Sequence, residues 1–370
     1  MKRFIIIIFI SLIIAMPFFI PLTTINSYAE DGEWMQRVYV YDDNGNCLLE
    51  KSNVEVGDRF LSEDFCLWEI YSIQKNIAFA KKVAQETKPY VKIKNSTTKP
   101  IDEKNICMYM THNDESYLPT DGYDSIYGKG GIHDVASTLK SALEKLGINV
   151  TLDQTLHIPH DSKAYTRSKV TATSLQNSKQ PSGLFDIHRD GVAKNVYLSQ
   201  NENGPLSKIR IVVGKGNPNF EKNYEFAKEI FSLGQALYPW LFLDIYCGKG
   251  TYNQNLQEHA LLFEMGTYLI EKEYVFSSTP YLANVINTAL FKSVQDDNGD
   301  IFVDEQQINA LEDDYENHNN LSKNNENEQK LGKNSQKFGF FAAILIIPAS
   351  ATALSIAAIL LLNKKKNRPL

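Results

Sequence analysis

Two histidines and two carboxylates stand at or just beyond the ends of short apolar runs, and their types suit a hydrolytic metal site. His112 and Glu115 lie in Thr111-His112-Asn113-Asp114-Glu115-Ser116-Tyr117, directly after Ile106-Cys107-Met108-Tyr109-Met110. His188 follows Phe185-Asp186-Ile187, and Glu264 follows Leu261-Leu262-Phe263. Loops leaving the strand ends of an α/β sheet are where such folds usually build a site. Two histidines and one carboxylate suit Zn²⁺ with a fourth position open, where water is acidified toward neutral pH and a scissile carbonyl is polarised. A second carboxylate then serves as general base. Glu264 fits that role because it carries charge without being needed to complete the ligand set. Taken singly, each histidine also suits a hydrogen-bonded structural role, so the joint placement is what points to a metal.

The elements that must hold these residues alternate between strand and helix. The run 106–110 reads as a buried strand. Residues 134–146 read as an amphipathic helix with Val135, Leu139, Ala142, Leu143 and Leu146 on one face; Gly147 ends it and Ile148-Asn149-Val150 returns as a strand. Strands at 184–187, 209–213 and 260–264 and a helix at 223–237 complete an α/β domain spanning 105–294, with a central, mostly parallel sheet flanked by helices.

The segments on either side differ in composition. Residues 36–84 read as a small β module with strands at 38–41, 54–60, 67–73 and 77–83 and an Asn44-Gly45 hairpin turn. A spacer runs over 85–104. The Asn-, Asp-, Glu- and Lys-rich stretch 295–336 reads as a disordered tether. At the N-terminus, Lys2-Arg3, the apolar run Phe4 to Leu22 and Ser27-Tyr28-Ala29 read as a signal peptide or signal anchor over 1–29. Residues 338–362 carry no charge and precede a basic tail at 363–370, the pattern of a transmembrane helix with a cytoplasmic flank. The expected location is therefore the cell membrane, with the catalytic domain extracytoplasmic and the C-terminal tail cytoplasmic.

A net charge of −6 leaves no basic footprint for nucleic acid. Cys47, Cys66, Cys107 and Cys247 have neither CxxC spacing nor a disulfide-dense framework; a Cys47–Cys66 pair and unpaired core cysteines are both open readings. His157, His160 and Asp161 form a polar cluster that reads as a solvated loop in preference to a second metal site, and His133 and His259 read as structural residues, with His133 the first replacement if a proposed ligand fails. Arg189 either contacts substrate carboxylates or braces the His188 loop. Asn253 either binds peptide amides or caps a turn. The chain has neither a phosphate-binding glycine loop nor a nucleophile elbow.

Thr111 to Tyr117 resembles the THxxESY motif of the stage II sporulation protein P family, and Asp186-Ile187-His188-Arg189-Asp190-Gly191 resembles that family's D-hydrophobic-HRD segment. Two more segments match in the family's order: Val212 to Asn219, and Tyr252 to Leu256 running into Leu262 to Gly266. The resemblance implies that 105–294 is a zinc N-acetylmuramoyl-L-alanine amidase domain acting on peptidoglycan, with endopeptidase action on cross-linked peptides as a second implication. It implies His112, Glu115 and His188 as zinc ligands and Glu264 as the catalytic carboxylate. It further implies septal wall thinning and engulfment during sporulation, beside a lytic transglycosylase resembling stage II sporulation protein D and a membrane scaffold protein. In related zinc amidases the carboxylate ligand lies farther on, near the start of the next helix, where this chain has His133 and Asp134. Two rival readings are a non-catalytic wall-binding scaffold and a zinc peptidase acting only on stem peptides.

Overall fold

The computed structural model describes residues 37–87, 91–93, 104–291, 294–295 and 301–303. In chain order the strands are β1 Arg37–Tyr41, β2 Cys47–Ser52, β3 Arg59–Leu61, β4 Cys66–Gln74, β5 Ile77–Gln85, β6 Val91–Ile93 and β7 Asn105–Tyr109. There follow α1 Leu118–Asp121, α2 Ile132–Lys145, β8 Asn149–Leu152, α3 Ala164–Lys179, β9 Gly183–Asp190 and α4 Lys194–Tyr197. The remainder is β10 Leu198–Asn201, β11 Gly204–Ser207, β12 Ile209–Gly214, α5 Phe220–Leu237, β13 Phe242–Gly248, β14 Ala260–Thr267, α6 Lys272–Phe291, β15 Val294–Gln295 and β16 Ile301–Val303.

One mixed sheet of eleven strands carries the fold, in the order β2-β1-β5-β4-β3-β13-β12-β14-β9-β7-β8. Within residues 105–267 it is mostly parallel: β8, β7, β9 and β14 run together, β12 and β13 run together, and β12 and β14 meet antiparallel. Strands β9, β12 and β14 are buried along their whole lengths, which is why they read as near-continuous apolar runs. The parallel strands need crossover helices: α2 links β7 to β8, α3 links β8 to β9, and α5 links β12 to β13. Side chains of alternate parity then face opposite layers. Phe185 stacks on Phe226 of α5, and Gly183 brings β9 against Leu290 of α6. On the opposite face Cys107, Tyr109, Leu184 and Ala260 pack against Ala172 and Leu175 of α3.

The N-terminal strands join this same sheet. Phe60 of β3 pairs with Tyr246 of β13. At the β1–β2 turn, Asp42 Oδ1 accepts the N–H groups of Asn44 and Asn46 at 2.9 and 2.8 Å, and Gly45 takes the left-handed conformation the turn requires. The sheet also curls: Val38, Val40 and Leu49 pack in one core with Val212, Tyr246 and Leu262, so β1 and β2 return over the central strands. All four cysteines are free. Short strands β15, β16 and β6, from stretches read in the sequence as tether and spacer, form a separate three-stranded sheet.

The expected membrane location is corrected. Among the described residues, no helix is long and apolar enough to cross a membrane. The longest, α6, carries Lys272, Glu273, Asn284 and Asn287 and packs against α2 and α5, as a globular helix does. The segments behind the expectation, 1–29, 338–362 and 363–370, lie outside the described residues.

Candidate functional site

Because β7, β9 and β14 are parallel neighbours, their C-terminal ends share one edge of the sheet. The register sets Glu264 directly opposite His188. Asp186, His188 and Asp190 alternate onto the same face of β9. The exit of β7 is fastened there by Asp186, which accepts the Thr111 N–H at 2.8 Å and the Thr111 hydroxyl at 2.6 Å. That anchor delivers His112 beside His188, with ring centroids 4.9 Å apart.

Glu115 closes the cluster from the β7–α1 loop. Its Oε1 lies 3.2 Å from His112 Nδ1 and 3.5 Å from His188 Nδ1, while Oε2 accepts the Arg189 N–H at 2.9 Å. The loop is held so tightly that Gly130 packs on the Glu115 carbonyl, leaving no room for a Cβ. Tyr165, in the first turn of α3, walls the site: its ring lies parallel to that of His188 and edge-on to that of His112.

The charges form a balanced set. Burial, with His188 and His160 nearby, pushes His112 down to about 4 against the pull of Glu115, so its imidazole is neutral at pH 7. Burial opposes ionisation of Glu115, but the neighbouring His188 and His112 outweigh it and hold the carboxyl well below its ordinary range. Burial likewise opposes a charged His188, yet Asp186 and Glu115 outweigh it and raise its pKa. Glu264 goes the other way: burial and then Asp190 raise it to about 7, with Lys51 and His188 offsetting part of the rise.

His160, read in the sequence as part of a solvated loop, lies instead beside His112. Its ring stacks on His112 at 3.8 Å and its Nδ1 pairs with Asp114 Oδ1 at 3.0 Å. Single ligand atoms of His112, Glu115 and His160 lie within 4.8 Å of one another. The signal in the sequence was weak, since His160 lies 48 residues from His112 in a polar loop. Its neighbours take other work. His157 is buried with both ring nitrogens engaged, by the Met110 carbonyl and the Thr171 hydroxyl, and Asp161 pairs with Arg167 near the surface.

The two residues considered for substrate contact lie differently. Arg189 donates to the carbonyls of Ser116 and Asp124, which braces the loop carrying Glu115. Asn253, also buried, donates to the Ser168 hydroxyl and the Tyr165 carbonyl, fixing the start of α3. His133 is buried at the start of α2 with Nδ1 on Gln154 Oε1.

The donor set fits zinc. Imidazole nitrogen and ionised carboxylate are its ordinary ligands; His112 is already neutral, and His188, whose proton Asp186 and Glu115 favour, must release it on binding a metal. Two buried atoms at the cluster also lack hydrogen-bond partners: Glu264 Oε2, and His188 Nε2, which is 3.0 Å from Asp186 Oδ1 but not aligned for a hydrogen bond.

The chain matches the family model of stage II sporulation protein P over residues 69–287, a stretch that contains all four motif segments. It is 33% identical over 183 residues to the stage II sporulation protein P of Bacillus subtilis (strain 168), a match spanning 45% of this chain and 46% of that relative. It is also similar to two solved structures. One is the CwlD amidase from Clostridioides difficile in complex with the GerS lipoprotein, at 15% identity, covering 50% of this chain and 96% of that one, TM-score 0.36. The other is the catalytic domain of CwlV, an N-acetylmuramoyl-L-alanine amidase from Bacillus (Paenibacillus) polymyxa var. colistinus, at 12% identity, covering 50% and 98%, TM-score 0.34. The family model takes in more than half of the 370 residues, and the chain belongs to the stage II sporulation protein P family.

Proposed function

We propose that this chain is a zinc-dependent peptidoglycan hydrolase of sporulation that cleaves the amide bond between N-acetylmuramoyl and L-alanine. The observation that carries the reading is the convergence of His112, Glu115, His188 and Glu264 at one sheet edge, inside the stretch that matches the family. His112, Glu115 and His188 would hold the metal, with His160 stacked beside them. A bound zinc ion supplies Lewis acidity, acidifying water and polarising the amide carbonyl.

The chain's own residues do the rest. Glu264, whose pKa burial raises toward that of a general base, takes a proton from the attacking water and returns it to the leaving alanyl nitrogen. The Arg189 N–H holds Glu115 in its orientation, and the Asp186 carboxylate holds the His112 loop to β9. Tyr165 shields the cluster on one side. A partner that cuts glycan strands, as the family resemblance implies, completes the reading: peptide removal and glycan cleavage together thin the septal wall.

The test is mass spectrometry of peptidoglycan digested by the purified chain, with and without a chelator, beside Glu264→Gln. Free stem peptides with peptide-less glycan, absent from both controls, support the amidase. Cleaved cross-links with peptides still attached to glycan turn the reading toward a peptidase. No product from folded, zinc-loaded protein turns it toward a scaffold.

A further inference from the structure

Lys51 lies in β2, an edge strand of the sheet, and outside the stretch 69–287 that matches the family. The curl of the sheet nonetheless brings it over the ends of β9 and β14. Its ammonium is 3.3 Å from Asp190 Oδ1 and 3.8 Å from Glu264 Oε1, above the Tyr246 ring. The contact does not stand alone: the Ser52 hydroxyl donates to Asp190 Oδ1, the Glu50 carbonyl accepts from Arg210, and Glu50 Oε1 accepts the Ala193 N–H. The hairpin is therefore fastened to the site edge at several points.

A buried lysine is costly unless its partners need the charge. Asp190 takes the closer contact, a hydrogen bond of 3.3 Å from the ammonium, but it does not depend on Lys51 alone. Its Oδ2 already accepts Arg210 at 2.5 Å and the Tyr197 hydroxyl at 3.0 Å, and its Oδ1 accepts Ser52 and the Gly191 N–H. Arg210 in turn is bound to Asp244. Glu264 differs: among the described residues its one ion pair is with Lys51, and its Oε2 has no hydrogen-bond partner. Lys51 and Glu264 also keep slight side-chain exposure, 10% and 12%, whereas Arg210 behind them has none.

We infer that Lys51 is a positioning residue, whose ammonium holds Oε1 of Glu264 and leaves Oε2 to accept the proton of the attacking water. The inference rests on the role proposed for Glu264. It makes the N-terminal hairpin part of the catalytic unit, although the family stretch begins after it.

Lys51→Met and Lys51→Arg in the full, zinc-loaded chain test this. Lys51→Met is expected to lower kcat roughly ten- to a hundredfold with KM and zinc content unchanged, and Lys51→Arg to recover most of the loss. Wild-type kcat in Lys51→Met, or an arginine variant no better than methionine, overturns the inference. Thermal melting of Lys51→Met, Glu264→Gln and the double variant at pH 8 gives a second readout. Lys51→Met should cost less stability when Glu264 is already neutral, and strictly additive shifts overturn the contact. If the wild-type chain releases nothing from peptidoglycan, the functional reading fails, while the melting cycle still decides whether the two side chains act on each other.

Discussion

Glu264 and His188 are ladder partners on adjacent parallel strands, so the candidate base and a candidate ligand are held at a separation set by the sheet rather than by loops. Backbone pairing of this kind costs no further ordering when substrate arrives, and the geometry is in place beforehand.

Glu264→Gln should abolish proton transfer without moving the strand. Peptidoglycan hydrolysis is expected to fall roughly 10²- to 10⁴-fold, with zinc content unchanged by elemental analysis.

The raised pKa of Glu264 also predicts how pH acts. Hydrolysis should rise with pH as the base form of Glu264 appears, with a midpoint below the value of about 7 of the metal-free protein because a bound zinc ion favours the carboxylate. Stability moves the opposite way. The folded pKa lies above the ordinary value, so the stabilising contribution of the protonated form is complete below the ordinary carboxylate range and is lost as pH rises through about 7. In metal-free protein, Glu264→Gln should therefore melt higher than wild type at pH 8 and close to it at pH 4. Equal melting differences at both pH values would contradict the assignment.

His112→Ala, Glu115→Gln and His188→Ala should each lose stoichiometric zinc in equilibrium dialysis. His160→Ala should retain it with affinity weakened about 10- to 100-fold, because His160 supports His112 by stacking and is tied to Asp114.

Gly130→Ala places a methyl against the Glu115 carbonyl, where backbone and not a flexible side chain must move. Zinc retention should drop while far-UV circular dichroism stays close to wild type, since the glycine lies before α2 rather than within it.

Arg210→Met strips a fully buried cation from between Asp190 and Asp244. Leaving buried Asp244 without its ion pair and Asp190 with Lys51 as its one remaining cation should cost about 3–5 kcal/mol in denaturant unfolding, far more than Lys208→Met, whose partner Glu63 is half exposed.

Much of the fold could be read in the sequence because burial on both faces writes unbroken apolar runs. The strands at 106–110, 184–187, 209–213 and 260–264 correspond to β7, β9, β12 and β14, and the helical periodicity at 134–146 to α2. Helix α3 gave no such signal: its Thr, Ser and Lys residues interrupt the apolar spacing, and its burial against β7 comes from Ala172 and Leu175. His112, Glu115, His188 and Glu264 stood out as polar residues at strand ends. Which of them meet depended on strand order and direction, and β9 lies between β7 and β14 only in the folded sheet. Other arrangements were set by tertiary structure alone: His160 reaches His112 across a loop, and Lys51 reaches Glu264 because the sheet curls. Local sequence carries periodicity and turn chemistry, but contacts between distant segments are decided by which surfaces the whole chain can bury together.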